Sequence, residues 1–255
     1  MLLPGTPSDE VGDVLAAGRG DITTLFVSMA TRHPEGTDAE YLRWHTLDHR
    51  PEQHRLAALR ASLRLVSTPR CRNARATGTD RFTPVDHVMS YFFTDTTGLA
   101  AFNQLSTALG DAGRKLPLLP PVERGVYAVA GKAAAPRIKI GADVLPWWPA
   151  VGVYLLLETN TEGNTDTSAM MPENLVGIEG VAGVWSADSR PVAASLASAP
   201  AGQTISYCFL DDDPVFTAQR LRPALEERWS DGVIRPLFAA PFHTVVPHEW
   251  NRYVP

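Results

Sequence analysis

The segment from Tyr41 to Glu52 holds the side chains best suited to chemistry. Tyr41, His45 and His49 are spaced by four residues, so a helix would carry all three on one side. Histidine titrates near neutral pH, and in an apolar pocket an imidazole can move a proton to or from a small molecule. We therefore predict that His45 and His49 form a proton-handling catalytic pair.

Neighbouring residues complete this predicted site. Asp48 is expected to orient the imidazoles, and Tyr41 and Trp44 to form the wall that binds substrate. Two imidazoles at this spacing can also hold a metal ion, with Asp48 or Glu52 supplying an oxygen. The pattern is not H-E-x-x-H, however, and no distant third ligand is evident, so the predicted site contains no metal. A third interpretation is that the histidines only pack the helix against a sheet.

A repeated sequence indicates how these residues are positioned. Ser90–Asp95 (SYFFTD) returns as Ser206–Asp211 (SYCFLD), an offset of 116 positions, and the helical spacing of leucine and alanine that follows is repeated too. An aromatic run that ends at an acidic residue is typical of a strand followed by a helix. The chain is therefore predicted to contain two copies of one small α+β module.

The predicted elements of the first copy follow the order β-α-β-β-α-β, which is the ferredoxin-like arrangement. A capping box of Thr37 and Glu40 should start the first helix, and Pro51 should end or kink it near Arg50. Pro51 can then begin a further helical turn that runs through Leu59. The predicted strands are Leu25–Thr31, Ala61–Ser67, Val88–Phe93 and Val126–Ala130, with a second helix at Thr97–Leu109.

The second copy repeats this order with a degenerate first helix, for which only Ser168–Leu175 is a candidate. Its other predicted elements are strands at Val151–Leu157, Val181–Ala187, the SYCFLD run and Phe242–Val246, and a helix at Pro214–Arg228. The fold class is therefore α+β, with repeats at 22–135 and 150–255 joined by a linker at 136–149. The two sheets are expected to cover each other's bare faces, with a ligand between them.

The composition of the chain limits the classes of molecule that we expect it to bind. The net charge of −5 argues against nucleic acid, and no apolar run is long enough to cross a membrane. The two cysteines lack the spacing of a metal site or disulfide framework, so we expect a cytoplasmic protein. Seven arginines between Arg50 and Arg75 could form an anion-attracting patch, but they are interpreted as the solvated face of a helix and of the strand after it.

The pattern Tyr-x-x-Trp-His-x-x-x-His-x-Pro-Glu at 41–52, in its β-α-β-β-α-β frame, resembles EthD-like members of the dimeric α+β barrel superfamily. The resemblance implies two ferredoxin-like units paired through their sheets, here as a fused tandem repeat. Relatives include cofactor-free monooxygenases, isomerases, polyketide cyclases, aldoxime dehydratases and haem-handling enzymes. The second copy lacks the Trp-His motif, so at most one of two equivalent pockets should be functional.

These observations favour an enzyme of oxygenase, isomerase or cyclase type that acts on a small apolar organic molecule. A non-catalytic ligand-binding or stress-related module is the alternative. A haem protein is a third hypothesis, with His45, His87, His243 or His248 as the donor. His87 is otherwise interpreted as a strand-edge residue. The cofactor is unknown, the expected partner is a small molecule rather than nucleic acid or a membrane, and a homodimer is left open.

Overall fold

The computed structural model describes residue 15 and residues 17–160, 172–192 and 197–253. The strands are β1 Thr24–Ala30, β2 Leu59–Val66, β3 Thr77–Gly78, β4 His87–Phe93, β5 Pro121–Ala134, β6 Gly152–Asn160, β7 Val181–Ser189, β8 Gln203–Leu210 and β9 Ile234–Thr244. The helices are α1 Asp38–Trp44, α2 Arg50–Gln53, α3 Pro69–Asn73, α4 Gly98–Asp111 and α5 Pro214–Trp229. A π-helical turn, His45–His49, joins α1 to α2, and 3₁₀ turns lie at Ala142–Trp147, Glu173–Gly177 and Trp250–Tyr253.

In the part of the chain that the structure describes, eight antiparallel strands close into one barrel. Their order is β2-β4-β1-β5-β7-β8-β6-β9, and β9 pairs back with β2 to complete the circle. The predicted α+β fold of two paired ferredoxin-like sheets is confirmed. The first sheet is β2-β4-β1-β5, the second is β7-β8-β6-β9, and the short β3 adds to β9 beside the closure.

The inside of the barrel is a packed core. Strand residues alternate between two faces, and most inward-facing positions in the middle of the strands carry an apolar or aromatic side chain or a small hydroxyl. The largest fully buried side chains of this core are Trp185, Tyr127, Tyr207, Phe92, Phe209, Phe238 and Phe242. The space between the two sheets is therefore filled, and the expectation of a ligand there is wrong.

The helices lie outside the barrel. Helix α4 packs on the outer face of the first sheet through Leu99 and Phe102, and α5 packs on the second sheet through Leu221 and Leu225. The 3₁₀ turn Glu173–Gly177 stands where the degenerate helix was predicted, although residues 168–171 of that prediction lie outside the described residues. Strands β5 and β9 also begin earlier than predicted, at Pro121 and Ile234.

The repeat in space is shifted by one residue from the repeat in sequence. Phe92 and Phe209, which are 117 positions apart, both face the barrel interior. Tyr91 faces outward and stacks on Phe26, whereas Tyr207, its partner in the sequence alignment, faces inward. The connection from strand to helix has four residues before α4 and three before α5, which returns the helices to an offset of 116. A slip of one residue exchanges the two faces of a strand.

The first helix differs from its predicted form. Thr37 precedes it, but its side chain makes no capping hydrogen bond, so the predicted capping box is wrong. The helical turn predicted after Pro51 is present, but the helix ends at Gln53 rather than at Leu59. Proline has no N–H to donate, and the π-helical turn accommodates it: the Arg50 N–H bonds to the His45 carbonyl five residues earlier. The turn that contains both candidate histidines is therefore π-helical, whereas the segments on either side of it are α-helical.

A hydrogen bond inside the barrel joins the two units. Ser90 Oγ and Tyr207 Oη are 2.7 Å apart, and both residues are fully buried. Tyr207→Phe leaves the serine hydroxyl unpaired in an apolar core, so we expect it to lower the free energy of unfolding by about 1–3 kcal/mol. Removing both groups in Ser90→Ala/Tyr207→Phe should restore most of that loss. Urea unfolding of the four proteins tests this, and additive effects of the two substitutions would contradict it.

Candidate functional site

A cavity of about 160 Å³ lies on the outer face of the first sheet, beneath the first helix and α4. Its walls come from three parts of the fold. The sheet contributes Phe26, Ser28, Arg64, Met89, Tyr91 and Arg124, the first helix contributes Tyr41, His45, His49 and Gln53, and α4 with the following loop contributes Phe102, Asn103, Ser106, Lys115 and Leu119. The predicted catalytic pair therefore lies on a cavity outside the barrel.

The π-helical turn brings the two imidazoles together. His45 and His49 are 3% and 4% exposed, and their ring centroids are 5.5 Å apart. Tyr41 stacks on His45 at 6.0 Å, and Trp44 stacks on His49 at 4.8 Å. A π-helical turn within an α-helix is uncommon and occurs frequently at functional sites.

Each imidazole has one nitrogen bonded and one free of protein partners. His45 Nε2 lies 3.3 Å from the Tyr91 hydroxyl, and His49 Nε2 lies 3.0 Å from the Gln53 amide nitrogen. The Nδ1 atoms of both histidines are buried without a hydrogen-bond partner, as is the Gln53 Oε1. Such unpaired buried groups are rare and unfavourable in a folded protein, so their presence around one cavity makes it the candidate site.

Burial keeps both histidines neutral. Desolvation, followed by the nearby Arg64 cation, holds the pKa of His45 well below its ordinary value. Desolvation also lowers the pKa of His49 to about 4, with Lys115 contributing in the same direction and Asp48 opposing it. Near pH 7 the cavity therefore presents two neutral imidazoles.

Asp48 and Trp44 do not occupy the positions expected of them. Both Asp48 oxygens accept from Arg114 at 3.2 Å on the outer side of the helix, and no described hydrogen bond joins this carboxylate to an imidazole. Trp44 does not line the cavity. Its ring stacks on His49, and its Nε1–H donates to the Arg114 carbonyl. Of the two predicted wall residues, only Tyr41 lines the cavity.

Residues that the sequence interpretation overlooked contribute as much as those it found. Gln53 continues the four-residue spacing of Tyr41, His45 and His49, so the same periodicity could have identified it. Tyr91 belongs to the repeated SYFF run, but its outward direction depends on the strand register. Arg64 is 4% exposed and lines the cavity, although it was interpreted as part of a solvated face.

Arg64 begins a buried polar chain. Its Nη2 lies 3.1 Å from His87 Nδ1, and His87 Nε2 lies 2.7 Å from Asp38 Oδ1. Asp38 also accepts from the His33 N–H at 3.0 Å. His87 is the first residue of β4, in keeping with its interpretation as a strand-edge residue, and it is 1% exposed. Burial lowers the pKa of His87 to about 4, so the imidazole is neutral and connects a cation to a carboxylate.

The residues present do not fit a haem. A cavity of about 160 Å³ is close to the roughly 150 Å³ that holds a benzene molecule, which is far smaller than a tetrapyrrole. His87 has both nitrogens engaged, and His243 and His248 contact Tyr253 and Trp250 rather than the cavity. Within the described residues, no three His, Cys, Asp or Glu side chains are grouped so that they could hold a metal ion.

Comparison with solved structures identifies the fold. A dye-decolorizing peroxidase from Bacteroides thetaiotaomicron aligns with a TM-score of 0.54 and 8% identity, covering 98% of this chain and 99% of that chain. A chlorite dismutase-like protein aligns with a TM-score of 0.52 and 10% identity, covering 91% of this chain and 100% of that chain. The chain has the dimeric α+β barrel fold.

The fold is all that these likenesses establish, because the sequence identities are so low. No protein-family model matches the chain, and no curated protein matches it by sequence. Among the helices that the structure describes, none is long and apolar enough to span a membrane. The function of this α+β barrel must therefore be argued from its own cavity.

The depressed pKa of His49 predicts a pH-dependent stability. Because this pKa is about 4 in the folded protein and 6.5 as the ordinary value, the unfolded chain binds more protons between these limits. Acidification through that range should lower the free energy of unfolding, by up to about 1.4 kcal/mol per pH unit for each such histidine. Urea unfolding at several pH values measures the slope. We expect a shallower slope for His49→Gln, and equal slopes would contradict the assignment.

Proposed function

We propose that the α+β barrel is an enzyme that transfers a proton on a small, largely apolar organic molecule bound in the outer cavity. The observation that carries the proposal is the pair of neutral, buried imidazoles whose Nδ1 atoms have no protein partner. Non-functional core histidines are normally satisfied by hydrogen bonds. Here the unpaired nitrogens belong to two adjacent rings on the wall of one cavity.

The hydrogen-bond partners assign different roles to the two histidines. The Gln53 amide nitrogen donates to His49 Nε2, so neutral His49 carries its proton on Nδ1 and can donate to a substrate oxygen. His45 Nε2 faces the Tyr91 hydroxyl, which can accept from it and leave the lone pair on Nδ1. We propose that His45 is the general base and that His49 stabilises the oxygen on which negative charge develops.

The size and walls of the cavity define the substrate class. A volume of about 160 Å³ accommodates a single ring, by comparison with the similar cavity that binds benzene. Phe26, Met89 and Phe102 supply apolar and aromatic contacts for that ring. Oxygenation, isomerisation and cyclisation of such molecules can each begin by removal of a proton, which is the step that this site is equipped to perform.

In this proposal Asp48 takes no direct part in proton transfer. Its ion pair with Arg114 lies at the surface, where such pairs contribute little to stability. Asp48→Asn should therefore leave kcat within about threefold of wild type, because the carboxylate touches neither imidazole. A loss comparable to that of His45→Gln in the turnover assay below would instead give Asp48 the orienting role expected from the sequence.

Turnover of single-ring compounds tests the proton-transfer function. We would incubate the protein in aerated D₂O with a panel of phenols, hydroquinones and cyclic ketones, and measure deuterium uptake, oxygenation and isomerisation by mass spectrometry. Wild type should convert at least one compound, and His45→Gln should lower kcat by about 10²–10⁴-fold because the general base is removed. His54→Gln is the matched control, since His54 bonds to Ser62 and does not line the cavity.

Two outcomes would contradict this function. Equal kcat values for His45→Gln and wild type would remove His45 from the chemistry. If panel compounds raise the melting temperature of wild type but none is converted, the cavity belongs to a non-catalytic binding module. Far-ultraviolet circular dichroism of each variant separates loss of activity from loss of fold.

A further inference from the structure

The cavity has an uncompensated positive charge. Arg64, Lys115 and Arg124 all line it, whereas no aspartate or glutamate is among the described residues of its wall. The two histidines of the wall are neutral near pH 7, because burial depresses their pKa values. A molecule entering the cavity therefore meets three cations and no anion.

Arg64 is the cation that matters most, because it is buried. Its Nε has no hydrogen-bond partner, its Nη2 bonds to the neutral His87, and its guanidinium lies 5.1 Å from the centre of the Tyr41 ring. The carboxylate in this hydrogen-bonded series is that of Asp38, and His87 lies between it and Arg64. A buried guanidinium without a directly paired anion is strongly unfavourable.

The neighbouring carboxylate cannot supply the missing charge. Asp86 is already paired with three arginines, at 3.0 Å from Arg32, 3.4 Å from Arg72 and 3.1 Å from Arg75. Among the described residues, no ion pair joins Arg64 to Asp86. The protein thus leaves a net positive charge beside the cavity.

The second unit shows that this charge is not required by the fold. Arg64 lies opposite Met89, and the equivalent position in the second sheet is Ser186, opposite Ser206, where the two hydroxyls bond at 2.8 Å. The buried ion there, Glu158, is paired with Arg228 through two hydrogen bonds at 3.0 Å. Charge is therefore balanced on the outer face of the second sheet and left unbalanced at the cavity of the first.

We propose that the cavity binds an organic anion, a single-ring molecule with a carboxylate that pairs with Arg64. This rests on the proposed function of the same cavity and adds the charge of its substrate. A guanidinium matches a carboxylate with two parallel hydrogen bonds, and Arg64 Nε is available for one of them. Lys115 and Arg124 would add long-range attraction, and the ring would pack on Phe26 and Phe102.

The charge of the ligand would also change the proton affinity of His45, the proposed general base. Arg64 is, after desolvation, the largest cause that lowers the pKa of His45. A carboxylate paired with Arg64 would offset that cation and so raise the proton affinity of His45 when substrate is present. Binding of the anion would thereby prepare the imidazole to accept a proton.

A matched pair of ligands tests the inference without requiring turnover. Benzoate and benzamide have nearly the same shape and differ in charge, and their binding can be measured by isothermal titration calorimetry at low salt. We expect benzoate to bind at least tenfold more tightly, as hydrogen bonds to charged groups contribute about 1.5–3 kcal/mol. High salt should weaken benzoate binding only modestly, because Arg64 is buried.

Substitutions assign the preference to Arg64. Arg64→Gln should remove most of the preference for benzoate and leave only the part due to Lys115 and Arg124. Arg60→Gln should keep the full preference, because Arg60 lies on the same strand but pairs with Asp21 outside the cavity. If Arg64→Gln does not fold, Lys115→Gln/Arg124→Gln provides a second test and should weaken benzoate severalfold. His45→Gln should still prefer benzoate, which separates this inference from the catalytic proposal.

Defined results would overturn the inference. Equal or tighter binding of benzamide would show that the cavity takes neutral ligands, while leaving proton transfer by His45 unaffected. Failure of both ligands to bind at millimolar concentration, or an undiminished preference in folded Arg64→Gln, would also refute it. Conversely, loss of all turnover with an intact preference for benzoate would refute the catalytic proposal and leave the anion site standing.

Discussion

The closure of two sheets around one aromatic core constrains everything else in this molecule. Once β5 pairs with β7 and β2 pairs with β9, the barrel has a single inner face, and bulky side chains such as Trp185 and Tyr207 fill it. A close-packed interior has no room for a ligand. The cavity that carries the histidines lies instead on the outer face of the first sheet, beneath the first helix and α4.

The two units use their outer faces differently. In the second unit, Tyr154, Leu156 and Cys208 pack beneath α5, so that this face belongs to an apolar core. In the first unit, the equivalent positions Phe26, Ser28 and Tyr91 line the cavity instead. The outer face of the second unit is thus filled by apolar packing, whereas that of the first unit holds a cavity. This division agrees with the presence of the Trp-His motif in one copy.

Buried polar groups around the cavity lower the stability of the folded protein, and this loss of stability bears on function. Two imidazole nitrogens, an amide oxygen and a guanidinium nitrogen are buried there without partners. Each unpaired group costs about 1–3 kcal/mol relative to a hydrogen-bonded one. Proteins commonly sacrifice stability in this way at functional sites, where the missing partners are supplied by substrate. The π-helical turn is part of the same departure from regular structure, because it positions both histidines.

The sequence by itself determined the order of elements, the duplication and the helix that carries His45 and His49, because these follow from local periodicity and residue type. Even Gln53 could be read from the same four-residue spacing. Only the tertiary structure decided which way side chains face: Tyr91 and Tyr207 occupy matching sequence positions, yet a connection shorter by one residue places them on opposite faces. The burial of Arg64, the pairing of Asp48 with Arg114 and the location of the cavity likewise depend on contacts between distant segments. Local sequence patterns determine the helices and strands, whereas strand register and packing determine which side chains meet at the cavity.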